Sequence, residues 1–320
     1  MQDPGELLRQ TSIIVCTVER LPDLARCLES LHPFRTAGAE IIVVDNGPHH
    51  TAITEMAQRN LAKVVVEPRR GVSRARNAGI RKATGAILAF LDDDSVADRN
   101  WLPLLLAPLQ EGRVAAVVGS IGAQTLADPV SRAFDSLFRA WFPTSRVMLE
   151  ASPGEDPLPL RPALLANANL AIRREAFARV GGFDERFGRG TRIGSGEEPE
   201  MLLRLLLGGE PIVVEPAARI LHRHPTERQA LRRWSFLSAS AHTAILTKYF
   251  LQDPDLRGAI LRYTLRRAVR RRRPPESAEA SARMLPTIPF LVGSLYGPLA
   301  FLLSRPRRGL QQAGHFSGGP

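Results

Sequence analysis

Three consecutive carboxylates, Asp92-Asp93-Asp94, follow the apolar run Ala86–Leu91. Like charges this close repel, so the cluster is costly unless a cation neutralises it. On an extended chain Asp92 and Asp94 point to the same side. They could then share one divalent ion with a diphosphate, and oxygen ligands select Mg2+ or Mn2+ over zinc. Taken alone, the triplet reads equally as a solvated acidic turn. Two other apolar runs also end in polar groups. Thr17-Val18-Glu19-Arg20 closes Thr11–Thr17, and Asp45-Asn46-Gly47 closes Glu40–Val44. Asp45 alone could be a turn former. Three such ends together outline a nucleotide crevice. Gly71–Gly79 (GVSRARNAG) then opens a helix whose N-terminus suits an anion. Arg74 and Arg76 could reach phosphate and Asn77 a base or ribose; a basic surface helix is the bland alternative.

These groups need a scaffold that brings strand ends together. The β-branched runs Thr11–Thr17, Glu40–Val44, Lys63–Glu67, Ala86–Leu91 and Val114–Gly119 read as buried strands. Amphipathic segments at Arg20–Leu31, Thr51–Asn60, Val72–Lys82 and Trp101–Gln110 alternate with them. Such alternation predicts a mostly parallel, doubly wound sheet with helices on both faces. Ligands then sit at the carboxyl ends of the strands. The alternation stops near residue 120. Beyond it the pattern predicts a proline-rich loop over Ser152–Pro162, a strand within Leu164–Ile172 and a glycine-rich stretch over Gly181–Gly196. Helix Glu198–Leu207, short strands Pro211–Val214 and Ala218–Leu221, and helices Arg228–Phe250 and Leu256–Arg273 follow.

Of the 320 residues, 44% are hydrophobic and 23% charged, a globular composition. Two cysteines, Cys16 and Cys27, exclude a disulfide scaffold and a multi-cysteine metal site. The N-terminal segment lacks the pattern of a secretion signal. The net charge of +11 is uneven: residues 219–320 hold 18 Lys/Arg against 5 Asp/Glu. Leu256–Arg273 alone carries eight arginines and no acid, with Leu261, Leu265, Ala268 and Val269 as an apolar stripe. This is the pattern of a basic amphipathic helix on an anionic membrane surface. The apolar segment Met284–Leu303, interrupted by Pro286, Pro289 and Pro298, is expected to dip into lipid as a proline-bent hairpin. Nucleic acid is not expected as a partner, because aromatic residues are not interleaved among the arginines.

The order of these pieces resembles the family 2 glycosyltransferases, over roughly residues 10–225. The matching pieces are Thr11–Glu19, Val43–Gly47, Gly71–Gly79, Phe90–Asp94, Asn167–Arg173, Gly181–Glu185, and Gly196-Glu197-Glu198 with Arg204. The resemblance implies an α/β GT-A fold over residues 1–225, with a donor half at about 10–120 and an acceptor half at about 121–225. A helical basic extension over 226–275 and an apolar tail over 276–320 follow. It also implies roles. Asp92 and Asp94 are the metal-binding pair, with His222 near the metal or diphosphate. Thr17, Glu19, Asp45, Arg74, Asn77, Asp92 and Asp93 face the donor nucleotide. Asn167, Asn169 and Trp141 lie on the acceptor side, although core packing is the larger expectation for any tryptophan. The general base is Glu198 or Glu197; this sequence carries glutamate where the family's motif ends in aspartate. The plainer reading of that pair is an acidic first turn favoured by the helix dipole.

The expected function is therefore inverting, metal-dependent transfer of a sugar from a UDP-, dTDP- or GDP-linked donor. The acceptor is a saccharide or glycolipid precursor at the cytoplasmic face of a membrane. Two rivals stand beside it. A sugar-phosphate nucleotidyltransferase would need a glycine-rich loop after the first strand, where this chain has Thr17–Pro22. A non-catalytic membrane-surface protein on the same scaffold would have no need of Asp92, Asp94 and Glu198.

Overall fold

The computed structural model describes residues 4–48, 50–150, 169–269 and 287–304. Nine strands form one sheet: β1 (Thr11–Thr17), β2 (Glu40–Asp45), β3 (Lys63–Val66), β4 (Ile87–Asp92), β5 (Ser95–Ala97), β6 (Ala116–Ala123), β7 (Val147–Leu149), β8 (Asn169–Arg173) and β9 (Ile212–His222). The helices are α1 (Pro4–Arg9), α2 (Leu21–Ser30), α3 (His32–Thr36), α4 (His50–Arg59), α5 (Val72–Lys82), α6 (Trp101–Leu106), α7 (Pro129–Trp141), α8 (Arg174–Val180), α9 (Glu197–Leu207), α10 (Arg228–Gln252), α11 (Arg257–Val269) and α12 (Thr287–Leu302).

The strand order is β3-β2-β1-β4-β8-β6-β9-β5, with β7 also on β9. The first four strands pair in parallel, as their alternation with helices predicts. Side chains alternate across the sheet. Ile13, Val15, Ile41 and Val43 pack beneath α2 and α6, while Ile14, Ile42, Val44 and Phe90 pack beneath α5, α8 and α9. With both faces covered, near-continuous apolar strands are required.

The second half differs from the expected pattern in three ways. β8 inserts antiparallel between β4 and β6, an arrangement that alternation does not reveal. The two short strands expected at Pro211–Val214 and Ala218–Leu221 are one strand, β9, whose register with β6 shifts opposite Gly119/Ser120. Pro216 sits in that irregular stretch, where a missing N–H costs no ladder bond. The segment expected as a bent hairpin is, over Thr287–Leu302, a single helix with Pro298 inside it. Packing offsets the hydrogen bond lost at Pro298. β-Carbons at Gly293 and Gly297 would collide with the carbonyl oxygens of Phe236 and Ser240, so α12 lies backbone to backbone on α10. Ala300 and Phe301 continue that contact into a third core with Phe187, Leu203, Ala244 and Ile245. The C-terminal helices are thereby joined to α9 and to the glycine-rich segment before it.

Candidate functional site

The carboxyl ends of β1, β2 and β4 converge as the sequence requires. Thr17 Oγ1 donates to Asp93 Oδ2 at 2.7 Å. Arg20, just beyond β1, pairs with Asp94 and lies 3.5 Å from Asp93. The end of β9 brings His222 Nε2 to 3.1 Å from Asp94 Oδ1. Ligand atoms of Asp92, Asp94 and His222 all lie within 4.8 Å of one another. Two carboxylates and one imidazole suit Mn2+ or Mg2+ when a diphosphate supplies further oxygens. Burial pushes the Asp94 carboxyl up, but the His222 hydrogen bond and the charges of His222, Arg20 and Arg189 outweigh it. Asp94 is therefore held well below the usual carboxylate range. Burial dominates at Asp93 and raises it to about 6, against the Thr17 hydrogen bond and the Arg20 charge.

Arg76 joins this cluster to α9. Its guanidinium is buried and donates from Nη1 to Glu197 Oε1 at 2.8 Å. Nη2 reaches Asp92 Oδ1 at 3.2 Å and Glu198 Oε1 at 2.5 Å. Gly196, at φ +92°, precedes α9 in a conformation only glycine adopts easily, and it turns both glutamates inward. Three carboxylates share one guanidinium. Burial, with the charges of Glu197 and Asp92 behind it, raises Glu198 well above the ordinary range despite Arg76. A carboxyl poised in this way suits a general base working near neutral pH.

Other expected residues are differently occupied. Asp45 is fully buried; it accepts from Gly47 N at 2.9 Å and lies 2.7 Å from His50 Nδ1. Glu19 is exposed beyond β1. Arg74 donates to Glu185 Oε2 at 3.0 Å and to the Arg70 carbonyl at 2.8 Å. The α5 N-terminus, expected to take an anion, is covered: Val72 N donates to the Arg189 carbonyl at 3.0 Å and Ser73 Oγ to the Phe187 carbonyl at 2.8 Å. The segment before α9 thus closes over α5. Asn77, expected at a base or ribose, is buried and bonded twice to the Phe183 backbone, at 2.9 and 2.8 Å. It fastens α5 to the Gly181–Glu185 turn. Asn77→Ala should cost about 2–3 kcal/mol in urea unfolding and leave donor affinity unchanged; weakened donor binding at unchanged stability would restore it to the nucleotide.

Asn169, expected on the acceptor side, is fully buried. It accepts from Trp101 Nε1 at 2.7 Å and donates to the Ser120 and Ala218 carbonyls, tying β8 to β6 and β9. Asn167 and the Trp141 side chain lie outside the described residues. Sequence reasoning missed Arg20, since a lone arginine after a strand carries no distinctive spacing. It also missed a buried ionic network behind the base. Lys248 on α10 donates to Glu200 Oε1 at 2.6 Å and to Asp184 Oδ2 at 2.8 Å. Arg204 Nη2 and Tyr249 OH complete Glu200, at 2.7 and 3.1 Å, and Arg186 Nη2 reaches Asp184 at 2.6 Å. Only the Glu200–Arg204 pair, four residues apart on a helix, carried a readable signal.

The mixed sheet, with a carboxylate–imidazole cluster at its strand ends and a buried carboxylate pair opposite, has the GT-A glycosyltransferase fold. Solved structures agree. A mannosyltransferase from Pyrobaculum calidifontis, in complex with GDP-Man and Mn2+, superposes with a TM-score of 0.55 at 18% identity, over 92% of this chain and 86% of that one. Glucosyl-3-phosphoglycerate synthase from Mycobacterium tuberculosis, in complex with Mn2+, UDP and glucosyl-3-phosphoglycerate, gives 0.53 at 20% identity, over 77% and 84%. Residues 12–155 match the family described as Glycosyl transferase family 2. Polypeptide N-acetylgalactosaminyltransferase 11 of Xenopus tropicalis is 31% identical over 234 residues, which are 67% of this chain and 38% of that protein. Succinoglycan biosynthesis protein ExoM of Rhizobium meliloti is 28% identical over 77% of each. Residues 12–155 thus carry the glycosyltransferase family 2 match, and these relatives are named as a transferase and as a polysaccharide biosynthesis protein. The chain spans well under half the length of the N-acetylgalactosaminyltransferases it matches.

Proposed function

We propose that this protein transfers a glycosyl residue, with inversion, from a nucleoside-diphosphate sugar to an acceptor hydroxyl. The observation that carries the proposal is Arg76, which bridges Asp92 of the carboxylate–imidazole cluster to Glu198. Donor and base are thereby kept in one fixed relation. Asp92, Asp94 and His222 would hold Mn2+ or Mg2+, which, when bound, offsets the negative charge gathered by the departing diphosphate. Arg20 and Arg189 lie on the same side and add positive charge there. Glu198 takes the proton of the acceptor hydroxyl as it attacks opposite the leaving group. One base and one cation site serve a single displacement; a double displacement would need a second carboxylate as nucleophile. The donor carries UDP, dTDP or GDP; solved structures of similar fold with Mn2+ and UDP or GDP-Man bound support the first and last of these. The acceptor is a glycolipid or surface-polysaccharide precursor, and the protein works peripherally at the inner face of a cell membrane. The arginine-rich α11 supports this, as does the likeness to a succinoglycan biosynthesis protein.

The test is a thermal-shift screen with UDP, GDP, dTDP and CDP, with and without Mn2+. At one hundred times its Kd the correct nucleotide stabilises the fold by about 2.7 kcal/mol. Asp94→Ala should abolish the metal-dependent part of that shift. Silence with every nucleotide from a folded sample would favour a non-catalytic membrane-surface protein. Pyrophosphate release from a nucleoside triphosphate would favour a nucleotidyltransferase.

A further inference from the structure

The Thr287–Leu302 segment contains no charged side chain, yet α12 is only half covered. Gly293, Gly297, Ala300 and Phe301 form the stripe that meets α10. On the other side Ile288 is followed three and four residues on by Leu291 and Val292, and then Leu295, Leu299 and Leu302 recur at three- and four-residue steps, each more than half exposed and Leu295 81% exposed. Such spacing makes one continuous apolar face, about 24 Å long for sixteen residues. On α11, Ala259 and Ile260 point inward, while Leu261 and Leu265 stand 60% and 66% exposed beside the exposed Arg262 and Arg266. Two helices of the same unit thus turn leucines to solvent. No helix among the described residues is long and apolar enough to cross a membrane.

We propose that the exposed face of α12 is an in-plane membrane anchor that seats the protein on an anionic bilayer without crossing it. The inference rests on the membrane reading above and names the surface that carries it. Charge selects the occupant. Gly293 meets Phe236 and Gly297 meets Ser240, so α12 runs parallel to α10 in constant register. Its first turn therefore lies level with the exposed Arg228, Arg232 and Arg233. In sequence, residues 219–320 hold 18 basic and 5 acidic residues. A second copy docking on this face would bring two such cationic surfaces together. Lipid headgroups of negative charge neutralise them while the leucines enter the acyl boundary. The anchor touches the segment before the base: Tyr296 OH donates to the Arg192 carbonyl at 3.4 Å, and Phe301 lies under the Arg186 guanidinium at 4.5 Å. Both partners belong to the segment that leads into Glu197 and Glu198. A lipid-linked acceptor held at this surface would reach the base from the membrane side.

Flotation of the full chain tests the proposal. The vesicles are phosphatidylcholine mixed with phosphatidylglycerol, and phosphatidylcholine alone. The wild type should float with the mixed vesicles and bind the neutral ones far less. Leu295→Ser with Leu299→Ser should weaken binding to mixed vesicles about tenfold or more, with thermal stability and the nucleotide-dependent shift unchanged. Binding by this variant equal to wild type would overturn α12 as the anchor while leaving membrane association by other residues. Absence of wild-type flotation would overturn the membrane reading, and an intact nucleotide shift in the same sample would show that the transferase reading survives. A wild-type dimer in light scattering that the double variant converts to monomer would assign the face to a second copy.

Discussion

The Glu198→Gln variant should lose about 10²–10⁴-fold in transfer rate while still giving the nucleotide-dependent thermal shift. Glutamine keeps the shape of the side chain but cannot take the acceptor's proton. Donor binding survives because Asp92, Asp94 and His222 are untouched, and Arg76 still pairs with Glu197 and Asp92. The pH profile carries the second half of the prediction. Glu198 is raised above the ordinary carboxylate range by burial and by Glu197 and Asp92. A base works only when deprotonated, so the wild-type rate should rise with pH through an apparent pKa above about 4.3, the usual glutamate value. Glu197→Gln removes one of the charges that raise it, so that limb should move to lower pH. Because the two glutamates and Arg76 interact, the apparent pKa belongs to the group. A Glu198→Gln enzyme of wild-type rate, or a Glu197→Gln profile that does not move, would transfer the role to another residue.

Lys248→Met should destabilise the fold by about 3 kcal/mol in urea unfolding, because it takes one of two cations from each of two carboxylates, leaving Arg204 alone on Glu200 and Arg186 alone on Asp184. Glu200 is fully buried and Asp184 nearly so. At Asp184 burial raises the carboxyl, but the Arg186 hydrogen bond and the Lys248 charge outweigh it and hold it low. At Glu200 burial is outweighed by the charges of Arg204 and Lys248. Carboxylates held low in the folded state stabilise it fully above their unfolded values, near 4, and lose that contribution as pH falls. The gap between variant and wild type should therefore be widest near neutral pH and shrink in acid. A gap independent of pH, or none, would show that the ion pairs contribute nothing net.

The parallel half of the sheet was legible because every strand there is an apolar run closed by a polar end. The carboxylate–imidazole cluster was legible by two routes: Asp92 and Asp94 announce themselves by spacing, whereas His222 was expected beside them from the family resemblance, and β9 returning beside β5 brings it there. Arg76 could be seen as one of two basic residues in GVSRARNAG. Which of them turns inward follows from α5 packing, with Arg76 buried beneath Phe183 and Arg74 directed at Glu185. Asn77 and Asn169, expected at the nucleotide and on the acceptor side, are both found bonded to neighbouring backbone. An asparagine in a functional motif and one that ties two backbones together look alike in sequence, and only the burial of the bonded partners separates them. The Lys248 network joins residues 48 and 64 positions apart, beyond any local pattern.

The position of β8 bears on how the chain can be made and cut. Strands β3, β2, β1 and β4 form one block, and β6, β9, β5 and β7 another; Asn169–Arg173 is the strand between them. During synthesis β4 emerges some eighty residues before β8, and until then the apolar Ile87–Leu91 is a bare edge of the kind that recruits other chains. The matched family region ends at residue 155, short of that strand. A fragment ending there would keep every donor-side carboxylate and still have two raw edges where the sheet should be continuous. The sheet becomes continuous only with Asn169–Arg173 and the strand after it, well past the point where the family match stops.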